Sequence, residues 1–133
     1  MAASLFLATS CGGAPPLATG IDCGTTDERL GSFDSAAREC VWNAYTKGEA
    51  VHWTLRAYTI EGDPVPYTVA FNPTSGLVAT RDTRADRFGG VGNQRVFTYR
   101  CQTMTKTTQR DDISRYSFRL TNCTGDGLAT SVP

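Results

Sequence analysis

The side chains able to do chemistry in this chain are few. The single histidine, His52, is the only candidate general base, and a hydrolytic triad needs a nucleophile within reach of a histidine that a carboxylate orients. In "VHWTLRAYTI" His52 alternates with Val51 and Trp53, so the period of two turns it toward solvent. No G-x-S-x-G accompanies it, and it reads as a surface histidine. In "DTRADRF" Asp82 and Asp86 have the spacing of a calcium loop, but Arg84 stands where an oxygen ligand is needed. Arg81, Arg84 and Arg87 interleave with these acids, which predicts an ion-pair ladder running off a strand end. A second use of the same loop is a ligand-contact tip made by Asp82, Arg84, Asp86, Arg87 and Phe88, since binding residues concentrate on loops over rigid scaffolds. Glu61 and Asp63 sit in "EGDP", a complete turn without any chemistry. "GGVG" lacks the Lys and Ser or Thr of a phosphate loop. No catalytic residue, metal ligand or cofactor is called from these patterns.

The 133 residues suffice for one domain with one core. Thirteen basic and thirteen acidic side chains cancel to a net charge of +0, so nucleic acid is not an expected partner. No apolar run approaches the roughly 20 residues of a membrane span. Five cysteines without a C-x-x-C pair point to an oxidising compartment. Cys23, Cys40, Cys101 and Cys123 lie in the region that reads as folded and supply two bridges, leaving Cys11 over. Four cysteines allow three connectivities. Cys23 to Cys40 with Cys101 to Cys123 is favoured, because the first pair staples the entry segment to a helix and the second joins neighbouring strands. Cys40 to Cys101 with Cys23 to Cys123 is the alternative. Loops of about 17 and 22 residues would each contribute roughly 3 kcal/mol by loop closure.

Around Cys11, Leu5 and Leu7 precede small residues, and Ala8, Thr9, Ser10 and Cys11 occupy the four positions of a short motif. The segment resembles the lipobox of bacterial lipoproteins, with Ala8 where leucine is usual. The resemblance implies cleavage before Cys11, lipid attachment to it and anchorage in the cell envelope. "GGAPPLATGID" then reads as a flexible tether. The expected organisation is a signal-peptide remnant over 1–10, a tether over 11–22 and a single domain over 23–133.

Those residues must be positioned by a helix and a set of strands. "CGTTDERLG" reads as irregular. Ser32 or Asp34 as a cap, with Lys47 and Gly48 at the far end, predicts a helix over Phe33 to Lys47. Phe33, Ala36, Ala37, Cys40, Val41 and Ala44 form its apolar stripe, with Arg38 opposite. Trp42 lies off that stripe, so either the segment from Leu17 to Leu30 covers it or it is a partner contact. Val51 to Tyr58 and Val65 to Phe71 alternate as a hairpin, and a five-residue loop sets Ala57 opposite Tyr67, Leu55 opposite Val69 and Trp53 opposite Phe71. Weaker strands follow near Leu77, Phe97 and Tyr116. The expected fold is α+β, one helix on an antiparallel meander of about five strands with two disulfides, an order similar to cystatin-like folds. The expected role is an exported, lipid-anchored binding or structural module. Its partners are a membrane, through the lipid, and a protein or small-molecule ligand. A small hydrolase using Asp and Glu, or a secreted inhibitor or effector, is the alternative.

Overall fold

The computed structural model describes residues 20–133. Cys11, its lipobox neighbours and the tether up to residue 19 lie outside them. The fold is mixed α+β with nine strands in two sheets, rather than five strands in one. Strands β1 (Ile21–Asp27), β2 (Val51–Tyr58), β3 (Pro64–Asn72), β4 (Gly76–Asp82), β5 (Val96–Cys101) and β8 (Thr124–Gly125) form the larger sheet in that order. Strands β6 (Thr103–Thr108), β7 (Tyr116–Thr121) and β9 (Ala129–Val132) form the smaller one. The helix α1 (Ser35–Thr46) packs on β1 and β2 and also touches the smaller sheet.

The division into two sheets happens at Gln102. "RVFTYRCQTM" alternates as one strand, but only Gln102 separates β5 from β6, and there the chain leaves one sheet for the other. Cys101–Cys123 sits at this seam, and Cys23–Cys40 joins β1 to α1. Both bridges are the favoured pairs, although the second ties the seam between sheets rather than the last hairpin. Strand β1 runs parallel to β2, with Ile21 opposite Val51 and Asp22 opposite His52. These two residues therefore belong to the domain and not to the tether. Only Thr26 of β1 is fully buried, so as an edge strand it lacks the apolar alternation that would have revealed it.

The β2–β3 hairpin forms with its core faces as expected but two residues out of the expected register. Val51 lies opposite Phe71, Trp53 opposite Val69, Leu55 opposite Tyr67 and Ala57 opposite Val65. The chain reverses in three residues, not five: Thr59 N–H donates to the Asp63 carbonyl at 2.9 Å, and Gly62 supplies the positive φ of 89° that this loop needs. A slip of two keeps every side chain on its face. On the outer face Thr25, Thr54, Thr68, Thr80 and Thr98 fall in one row across five strands, a polar surface that leaves the inner face to the core.

That inner face carries Trp53, Leu55, Val69, Leu77, Ala79 and Tyr99, all buried against α1 and the smaller sheet. Asp34 caps α1 by accepting from Ala37 N–H at 3.0 Å. The buried side of the helix is Ala37, Arg38, Val41 and Ala44, while Ala36 is exposed. The stripe is thus turned by about one residue toward Arg38, because the helix lies between two sheets and must bury a second flank.

Candidate functional site

The N-terminal half of α1, the inner face of the larger sheet and the edge of the smaller one border an open cavity of about 700 Å³. Phe33 and Arg38 enter from the helix region, Tyr67, Arg81 and Tyr99 from β3, β4 and β5, and Arg115, Tyr116 and Ser117 from the start of β7. Glu28 reaches it from just past β1. Arg81 stands on the inner face because it shares the parity of Leu77 and Ala79 and pairs with Tyr67 and Phe97. It is therefore no member of the surface ladder with Arg84 and Arg87.

Arg38 is the most unusual side chain of the fold, a guanidinium only 1% exposed. Its Nη2 lies 2.8 Å from Glu28 Oε1 and donates at 2.5 Å to an oxygen of Pro133, the last residue of the sequence. Its plane packs over Phe33 at 4.4 Å and Trp53 at 5.2 Å, which fixes it by cation–π attraction. Nε and Nη1 of Arg38 have no hydrogen-bond partner among the described residues, and neither has Nε of Arg81. Buried donors are normally paired, so three idle ones on one cavity require explanation. Arg115 donates to the Gly31 carbonyl at 3.0 Å and has Asp112 at 3.8 Å.

Burial sets the acidities here. It pulls Arg38 below the ordinary guanidinium value against the opposing pull of Glu28, and it raises Glu28 above the usual carboxylate range despite Arg38. Tyr67 is raised by burial, and Tyr116 by burial and then by its hydrogen bond to Glu39 at 2.6 Å. Three arginines line the cavity beside the Glu28 carboxylate and Pro133, the last residue of the sequence, so cationic groups outnumber anionic ones there. Such a site can hold an anion; a pair of carboxylates for acid–base hydrolysis is not among its lining residues.

The residues singled out from the sequence lie elsewhere. Asp82 takes two bonds from the Arg84 guanidinium, at 2.9 and 2.7 Å, which hold its carboxyl below the usual range. Arg87 turns away from Asp86 and gives both its backbone N–H and its Nε to the buried Asp63, at 3.0 and 2.8 Å. Asp86 instead accepts from the Phe88 N–H at 3.1 Å, and Phe88 is 69% exposed. These residues form the β4–β5 loop outside the cavity. Trp42 is half-buried, stacked on Phe118 at 6.3 Å and capped by Lys106 at 5.1 Å. These two contacts come from the smaller sheet. His52 is on the outer face as expected, its Nε2 3.3 Å from Asp22 Oδ1.

The cavity was out of reach of pattern reading, with one exception. Arg81 follows Leu77 and Ala79 at a period of two, and that alternation places it inward. Arg38 carried no such signal, because the helix period assigns it to the polar side unless the second sheet is known.

The two disulfides place the domain in an oxidising environment, and among the described residues no helix is long and apolar enough to cross a membrane. No family model, curated protein or solved structure matches the chain.

Proposed function

We propose that this is an exported, lipid-anchored binding module whose ligand site is the cavity between α1 and the two sheets. One observation carries the reading: a nearly inaccessible arginine, held by Glu28 on one nitrogen, leaves two others idle on a cavity of ligand size. A fold that wanted Arg38 only for stability would pair those donors within the protein. The lipobox-like segment supports the anchor, and the disulfides agree with export.

A hydrolase is the second reading. Glu28, Arg38, Tyr67 and Tyr116 converge on the cavity with shifted acidities, as active-site groups often do. Glu28 is the one carboxylate side chain of its lining, where two are needed.

Native mass spectrometry of the disulfide-intact domain, incubated with a small-molecule extract of the source envelope, separates the two. A binding module retains a compound and releases it unchanged in mass. A released compound altered in mass assigns the cavity to catalysis and overturns the binding reading. Intact mass of the protein from native membranes tests the anchor: cleavage before Cys11 with added acyl mass is expected, and an unmodified N-terminus refutes it.

A further inference from the structure

We infer that the ligand of this cavity is a ring-bearing organic oxyanion, a carboxylate or a phosphate ester, whose anionic group docks on Arg38 and Arg81. The inference rests on the binding reading above and adds the chemistry of the ligand. Charge gives the first half. Arg38, Arg81 and Arg115 line the cavity together with Glu28 as the one carboxylate side chain and with Pro133, the last residue of the sequence, and the contacts differ in kind. Glu28 engages one nitrogen of Arg38, Asp112 lies beside Arg115 outside the lining, and Arg81 has no acidic partner within ion-pair distance among the described residues. The charge of Arg81 thus meets no carboxylate among the described residues, and Arg38, whose Nη2 is taken by Glu28 and Pro133, keeps Nε and Nη1 unpartnered.

Hydrogen bonding sharpens this from an anion to an oxyanion. The cavity's buried groups without a hydrogen-bond partner are three N–H donors, Nε and Nη1 of Arg38 and Nε of Arg81, against one acceptor, Glu28 Oε1, which already lies 2.8 Å from Arg38 Nη2, and guanidinium forks match the planar or tetrahedral oxygens of carboxylate and phosphate. A halide would satisfy the charge and leave most of these donors unpaired. A neutral ligand would supply acceptors without charge.

The walls give the second half. Phe33, Tyr67, Tyr99 and Tyr116 face the same space. Tyr116 is held by Glu39, and Phe33 meets it edge to face at 6.0 Å, so these rings are preset surfaces. Flat aromatic walls around a charged floor favour a ring over a flexible chain, because a rigid ligand loses less entropy on binding. Acetate or inorganic phosphate would fill only a fraction of about 700 Å³.

Arginine 38 is too deeply packed to be the first variant made, so the test uses Arg81→Gln and Arg115→Gln, with folding checked by near-ultraviolet circular dichroism. Benzoate, phenyl phosphate, acetate, inorganic phosphate, benzamide and benzylamine are titrated into the labelled domain, and amide shifts of cavity residues are followed by NMR. Benzoate or phenyl phosphate is expected to bind at least tenfold more tightly than benzamide and than acetate or inorganic phosphate. Which of the two binds better decides between carboxylate and phosphate. Arg81→Gln should weaken that binding at least fivefold and Arg115→Gln less. If benzamide or benzylamine binds in the cavity as tightly as benzoate, the oxyanion inference is overturned while the binding reading stands. If acetate matches benzoate, the ring is wrong. If no probe shifts the cavity and the envelope extract leaves no retained compound, both readings fail together.

Discussion

Asp34 should be the most informative single position for the architecture that holds the site. Its Oδ1 accepts from Ala37 N–H at 3.0 Å, and its Oδ2 accepts from the Thr26 hydroxyl at 3.2 Å. That hydroxyl in turn accepts from the buried Trp53 Nε1 at 3.0 Å. One carboxylate thus ties the helix end to β1 and, through Thr26, to the core tryptophan over which Arg38 packs. Asp34→Ala removes a cap worth about 1 kcal/mol and strands a buried hydroxyl for about 1 kcal/mol more, a loss of about 2 kcal/mol. For the roughly 110 described residues the unfolding entropy is about 0.24 kcal/mol per degree, so Tm should fall by about 8 °C. Calorimetry with disulfides intact measures it. Asp34→Asn keeps an acceptor for Ala37 and should lose less than half as much. Thr26→Val should lose its own share while the cap survives. An Asp34→Ala protein within about 0.5 kcal/mol of the parent, or an Asp34→Asn protein as unstable as Asp34→Ala, would refute the network.

Three further outcomes are expected. Replacing Cys23 and Cys40 by Ala should cost about 3 kcal/mol by loop closure over a separation of 17 residues, and the pair Cys101 and Cys123, separated by 22, slightly more; urea unfolding of each double variant gives the values, and an effect under 1 kcal/mol contradicts the estimate. Arg38→Met leaves Glu28 buried without its partner and should cost about 3–5 kcal/mol, most of it recovered by adding Glu28→Leu; a double variant no more stable than the single would show that the cost was lost packing, not the stranded charge. Glu28 is raised above its ordinary value chiefly by burial, so the folded state holds its proton more tightly than the unfolded one. Its contribution is present below about pH 4.5 and lost as pH rises through the raised folded value. The parent should therefore lose stability relative to Glu28→Gln across that window, and a difference that is flat or of opposite slope in paired urea titrations refutes the assignment.

Legibility followed the periodicity of each element. The α1 helix was readable because its end signals are local, although Asp34 rather than Ser32 as its cap was settled by the structure, and the β2–β3 hairpin because its alternation runs unbroken. The outer-face position of His52 followed from the same alternation. Its register was not readable, since "TIEGDP" allows loops of three or five residues and both keep the same faces inward. Strands β1, β6 and β9 are polar edge or small-sheet strands with few buried positions, Thr26, Met104 and Val132 among them, and a pattern of two needs more apolar contrast than that. The loop from Asp82 to Phe88 attracted attention for its charges, and its pairing with the distant Asp63 lies beyond any local reading.

By itself the sequence determined an α+β chain with one helix, a count of four cysteines for two bridges, and the inward face of each strong strand, all consequences of local period and composition, while β1 ahead of the helix escaped it. The tertiary structure decided that the chain crosses into a second sheet at Gln102. That crossing buries the second flank of α1, turns Arg38 from a surface cation into the floor of a cavity, and brings together Arg81 of β4 and Arg115 just ahead of β7, which are far apart in the chain. Which charges end up facing one another in low dielectric depends on three-dimensional packing and not on spacing along the chain, so the positive cavity belongs to the fold and not to any motif.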